Sequence, residues 1–120
     1  MTIKLTLTEE QARIVSIACE FYARVRIGQF QEIVWHTLDL SLPTENFCQR
    51  RDEAERLLFE ARKQIFPDLR GAGHYYGIGK FKDADMSFDV YQVIRYAMGG
   101  GTPFSYYDLP GYELEGQKND

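Results

Sequence analysis

"TLTEEQARIVSIACEFYARVRIGQF", Thr6 to Phe30, decides the fold class. Thr8, Glu9, Glu10 and Gln11 have the form of a capping box. In that motif the threonine hydroxyl accepts from the amide three residues on, and the glutamine side chain reaches back. The two glutamates favour the positive end of the helix dipole. Beyond the cap, Ile14, Ile17, Ala18, Phe21 and Val25 recur at helical spacing, and Val15, Cys19 and Tyr22 widen the stripe. A stripe that broad predicts more than one neighbour, and with it a homo-oligomer. The helix is expected to run to about Ile27, with Gly28 ending it in a left-handed conformation.

The helical period continues downstream. "QFQEIVWHTLDL" (Gln29 to Leu40) predicts a second helix with Phe30, Ile33, Val34 and Leu38 toward the core. Pro43 and Thr44 mark the next boundary, with Thr44 as the cap of a third helix from Glu45 to about Ile65. Its expected inward residues are Phe47, Ala54, Leu57, Leu58, Ala61 and Ile65, and "QRRDEAER" reads as a solvated face of mixed charge. After a long connection, a fourth helix capped by Asp83 or Asp85 is expected to reach about Met98. Met86, Val90, Val93, Ile94 and Ala97 form its core stripe, with Phe88, Tyr91 and Arg95 on an adjoining face.

At the N-terminus "IKLTL" (Ile3 to Leu7) alternates apolar and polar residues and predicts a short half-buried strand. The aromatic segment Phe104 to Leu114 is expected to be ordered, pairing beside Ile3–Leu7 or lying on a partner subunit. Residues 116–120 are expected to fray. The expectation is therefore a mainly α domain over residues 1–115: about four helices around one core, with a small β element.

The 120 residues fit one domain, and 44% hydrophobic with 27% charged residues can bury a core without metal or disulfide staples. A formal net charge of −4 argues against general nucleic-acid binding, which needs a basic footprint. No apolar run approaches the roughly 20 residues that span a bilayer, and "MTIKLTLTEEQ" has no signal-peptide pattern. A cytoplasmic protein is expected, with Cys19 and Cys48 as free packed thiols.

Motifs for chemistry are sparse. In "HYYGIGKF" (His74 to Phe81), Gly77, Gly79 and Lys80 lack the phosphate-loop spacing, and Phe81 stands where a hydroxyl should. Gly71, Gly73 and Gly77 miss the dinucleotide fingerprint by one residue and follow no strand. Glycines mark turns more often than ligand loops. The functional reading of this stretch is a pocket for an aromatic or phosphorylated small molecule. Tyr75, Tyr76, Lys80, Tyr91 and Arg95 line it, with Arg26 stacking and pairing beside the tyrosines.

His36 and His74 are too few for a zinc set, so no metal or cofactor is expected. Ser16, Ser41, Ser87 and Ser105 lack a nucleophile's setting. Asp85 and Asp89, four apart, are a possible acid–base or cation pair, though helix starts attract acids anyway. No enzyme is expected. Phe104, Tyr106, Tyr107 and Tyr112, set among acidic residues, read as a partner-binding surface.

Gly28-Gln29, then Gly77-Ile78-Gly79, then Asp89, Tyr91, Gln92, Val93, Ile94 and Arg95 form a pattern spread over about half the chain. In it the sequence resembles small proteins encoded by bacteriophages and prophages. The resemblance implies a phage or prophage accessory protein and brings no activity with it. The expected function is non-enzymatic, by binding a host protein in the host cytosol. The alternative is a counter-defence protein that sequesters a small nucleotide signal. A small hydrolase using Asp85, Asp89 and His74 ranks third, since it lacks a nucleophile or metal constellation.

Overall fold

The computed structural model describes residues 1–100. Four helices follow in order: α1 (Glu9–Arg26), α2 (Gln31–Thr37), α3 (Thr44–Ile65) and α4 (Lys82–Ala97). α1 packs chiefly on α4, and α2 touches both α1 and α3. The capping box forms as the sequence requires. The Gln11 amide donates to the Thr8 hydroxyl at 3.1 Å, and the Thr8 amide donates to the Gln11 side chain at 3.0 Å. Gly28 follows the helix end at φ 101°. The aromatic segment and the chain end lie outside the described residues.

The orientation of α1 corrects the sequence reading. Its buried residues are Ser16 and Ala23, while Ile14 is 67% and Ile17 is 54% exposed. At 100° per residue Ser16 and Ala23 stand on the side of the helix opposite Ile14 and Ala18. The small side is the one that meets α4, where Ala84 is buried and the Ser87 hydroxyl donates to the Cys19 carbonyl at 2.7 Å. Small side chains let two helix axes approach closely, and α1–α4 is the most extensive helix pairing among the described residues.

α3 is rotated in the same sense. Leu57, Ala61 and Ile65, expected inward, are exposed, and Phe47, Ala54 and Leu58 are half-buried. The buried residue of α3 is Arg62. On α4, Met86 is exposed while Ala84, Asp85 and Asp89 are buried.

Boundaries also differ. α2 is shorter than its periodicity, because Leu38 is extended and Asp39 starts a turn. The Ser41 amide and hydroxyl both donate to Asp39 Oδ1, at 2.9 and 2.7 Å, which offers the chain an alternative to helix. Phe30 and Val34 are buried as expected, with Ile33 and Leu38 half-buried. Pro43, not Thr44, is the N-cap of α3, and Phe81, not Asp83 or Asp85, is that of α4. Among the described residues no strand forms. Ile3 and Leu5 are 81% and 71% exposed, and a strand without a partner leaves its backbone groups unpaired.

Phe30, Val34 and Leu69 are the large apolar residues that become buried among the described residues. Burying a side chain such as Leu69 is worth about 2 kcal/mol. Arg62 ties this core to the loop that follows α3. Its guanidinium donates to the carbonyls of Gly28 (3.1 Å), His74 (2.7 Å) and Gly71. Among the described residues no helix is long and apolar enough to cross a membrane.

Candidate functional site

The site is a cleft where the end of α1, the glycine loop and the start of α4 meet. Two backbone contacts fix the loop. The Tyr76 amide donates to the Ile27 carbonyl at 2.9 Å, and the Gly79 amide donates to Asp85 Oδ2 at 2.9 Å. Gly79 has φ 94°, which explains why a glycine is needed there. The cleft measures about 210 Å³, with apolar walls from Ala23, Ile27 and Phe88, polar and charged groups from Arg24, Gln29 and Asp85, and Tyr75 at the rim. Gln29 is 6% and Asp85 is 7% exposed, whereas Tyr75 is 46% exposed.

Gln29 is held in place from behind. Arg24 Nη1 donates to its Oε1 at 3.1 Å, and its own amide donates to the Arg24 carbonyl at 2.9 Å. With that oxygen held, the side-chain NH₂ of Gln29 is the group available to a ligand's acceptor. Arg24 itself is drawn toward Glu20 (3.4 Å) and toward buried Glu32 (3.9 Å), which also faces His36 at 3.2 Å. His36 is thus a surface helix residue, edge-on to Phe21 with ring centroids 5.0 Å apart.

The six residues expected to share one pocket divide into three groups. Tyr75 alone lines the cleft. Tyr76, Lys80 and Arg26 belong to an aromatic array beside it. The Arg26 guanidinium lies 3.7 Å from the Phe81 ring centroid, and Tyr76 stands edge-on between Phe66 (5.3 Å) and Phe81 (5.2 Å). Lys80 Nζ sits 5.2 Å from the Tyr76 ring, and the Tyr76 hydroxyl donates to Asp68. Tyr91 and Arg95 lie further along α4, where Arg95 Nη1 donates to the Tyr91 hydroxyl at 3.3 Å. Burial, and then a hydrogen bond with Glu20, pushes the Tyr91 phenol up. Tyr91 therefore belongs to the α1–α4 seam.

Arg26 is further occupied by Asp83, at 3.2 Å, and the Tyr22 hydroxyl donates to the same carboxylate oxygen at 2.8 Å. The Tyr22 hydrogen bond first, and Arg26 after it, hold the Asp83 carboxyl below the ordinary carboxylate range. The same hydrogen bond pushes the Tyr22 phenol up. His74, named with Asp85 and Asp89 for the third-ranked hydrolase, accepts from the Arg70 amide through Nδ1 at 3.1 Å and so belongs to the turn. Cys19 and Cys48 are free thiols, and burial pushes Cys19 up, which makes it a poor nucleophile. Among the described residues no group of three or more His, Cys, Asp or Glu is arranged to hold a metal ion. The expected partner surface, Phe104, Tyr106, Tyr107 and Tyr112, lies outside the described residues.

Among the lining residues that sequence reasoning did not place in a pocket are Ala23, Ile27, Ala84 and Phe88. Gln29 had one signal, the Gly28-Gln29 pair. Its convergence with the Gly77-Ile78-Gly79 segment and the start of α4 depends on how α1 crosses α4. Chemically the lining supplies an amide, a carboxylate, the engaged Arg24 side chain and apolar walls, which suits the edge and faces of a flat polar ring. Comparison with family models, with curated proteins and with solved structures found no match.

Proposed function

We propose that this protein is a non-enzymatic accessory protein, of phage or prophage type, that binds a small planar heterocycle of nucleobase size in the glycine-loop cleft. The observation that carries this is the pair Gln29 and Asp85, both buried, set with Arg24 among apolar walls in a slot rimmed by an exposed tyrosine. Buried polar groups in an apolar pocket fix a ligand's orientation. At about 210 Å³ the cleft suits a base better than a whole dinucleotide.

Arg24 lines the cleft but its guanidinium is engaged by Glu20, Glu32 and Gln29, and Arg26 pairs with Asp83 outside it, so a phosphate would have to compete with these contacts. The nucleotide-sequestration reading thus narrows to recognition of the base. Calorimetric titration with a panel of the common nucleosides tests it. At least one should bind, and Tyr75→Ala should weaken it by about 10-fold or more, the value of one base–aromatic stack. Absence of heat across the panel would overturn the proposal.

A second reading, capture of a host protein, is favoured by the outward stripe of Ile14, Ile17 and Ala18 on α1, with Tyr22 46% exposed. Contiguous exposed apolar surface marks interaction sites. The same stripe would serve a second copy of the chain. Sedimentation of the wild type and of the Ile14→Glu/Ile17→Glu variant separates the two. A dimer that dissociates in the variant assigns the stripe to self-association, and a monomer in both leaves it to a heterologous partner.

A further inference from the structure

Arg62 carries a positive charge into the interior: it is 3% exposed and, among the described residues, makes no ion pair. Three carbonyl groups receive its Nη hydrogens. Its Nε–H, also buried, has no acceptor among the described residues. Burying a guanidinium is costly unless a negative group and a full set of acceptors compensate it. Carbonyl dipoles supply part of that compensation and no net charge.

Arg62 lines a second cleft, of about 330 Å³, between α2, α3 and the loop at Gly73. Trp35, Phe59 and Leu58 supply its walls, and Arg62 lies 5.1 Å from the Phe59 ring. Trp35 is 62% exposed and donates its Nε1–H to Glu55 at 3.2 Å. Glu55 lies two turns of α3 from Arg62, so the cleft is polarised along its length. A negative group is repelled at the Glu55 end and attracted at the Arg62 end.

We infer that this cleft is a binding site for a small aromatic carboxylate, with the carboxylate toward Arg62 and the ring against Trp35 and Phe59. The buried charge gains a counter-ion at the cleft's Arg62 end, where water competes little. The inference uses none of the residues that bind the proposed heterocycle, so the two readings stand or fall separately.

Trp35 is the single tryptophan of the chain, so its emission reports this cleft. The full-length protein is titrated with sodium benzoate and, separately, with benzyl alcohol, the uncharged probe of similar size. Benzoate should give a saturable change in Trp35 emission with a midpoint below about 10 mM, a fragment-scale affinity. Benzyl alcohol should give none at the same concentrations.

Substituting Arg62 strands three carbonyls and risks the fold, so Gly73→Val is the informative variant. A Cβ at Gly73 meets nothing within 4 Å, so the chain should fold normally while the added bulk narrows the cleft. Benzoate should then bind at least 10-fold more weakly, with an unchanged helical spectrum. Tyr75→Ala should leave the benzoate response intact. No saturable response, an equal response to benzyl alcohol, or full binding by Gly73→Val would each overturn the inference.

Discussion

The backbone amide of Gly79 donates to the Asp85 carboxylate at 2.9 Å, so the glycine loop is anchored by the helix that follows it. Asp85 lies within the first turn of α4, four residues past the N-cap Phe81, and its side chain reaches back past Phe81 to the loop. Removing the acceptor leaves a partly buried N–H unsatisfied. Asp85→Ala should cost about 1–3 kcal/mol in urea denaturation, and Asp85→Asn less, since its amide oxygen can still accept. Hydrogen exchange at Gly79 should accelerate in Asp85→Ala. An unchanged exchange rate would mean the loop is held from elsewhere.

Two glycines with positive φ should respond differently to the same substitution. At Gly28 (φ 101°) an added Cβ would come 2.6 Å from Leu69 Cδ1, and Leu69 is 4% exposed. At Gly79 (φ 94°) it would meet nothing within 4 Å. Gly79→Ala should therefore cost only the left-handed backbone strain, about 1 kcal/mol. Gly28→Ala should cost that plus the displacement of a packed leucine. Combining Gly28→Ala with Leu69→Ala, itself worth about 2–5 kcal/mol, should be less damaging than the sum of the two. Thermal denaturation of the four proteins closes that cycle.

The Tyr22–Asp83–Arg26 contact should leave a mark on both limbs of the pH–stability curve. The folded-state pKa of Asp83 is lowered, by the Tyr22 hydrogen bond first and by Arg26 as well. Its contribution is therefore present above the ordinary aspartate value, about 3.9, and is lost as pH falls through the lower folded value. Tyr22 is raised by its hydrogen bond to Asp83, so its contribution is present below about pH 10 and is lost as pH rises through the higher folded value. Asp68 and Tyr76 shift in the same two directions for the same reason. Tyr22→Phe should flatten both limbs without abolishing them. Urea melts at neutral, acidic and alkaline pH, with NMR titration of the Asp83 carboxyl, provide the check.

Substitutions on α1 should reverse what a periodicity plot implies. Ile17 is 54% exposed, so Ile17→Lys should change stability by less than about 0.5 kcal/mol in the monomer. Ala23 is 4% exposed in the seam with α4, so Ala23→Leu should cost about 1–3 kcal/mol by overpacking. Guanidinium denaturation of the two variants decides it. A tolerated Ala23→Leu beside a damaging Ile17→Lys would mean that α1 packs the other way round.

Local chemistry made the helices legible. The capping box at Thr8 and Gln11 and the terminating Gly28 act over three or four residues, so sequence alone determined where α1 begins and ends. The same is true of the absent phosphate-loop and zinc spacings. Which face of each helix turns inward was not local. The broad stripes of α1 and α3 pointed to Ile14, Ile17, Leu57 and Ile65, yet close approach of α1 to α4 selected Ser16, Ala23 and Ala84, and Arg62 turned inward to serve three loop carbonyls. Hydrophobic burial has no direction of its own, so a helix with several apolar residues on more than one side can satisfy it in more than one rotation. Tertiary packing chose among them. The same choice brought Gln29 to Asp85 across 56 residues of sequence and left Tyr91 and Arg95 out of the cleft, because the glycine loop closes on the start of α4 and not on its middle.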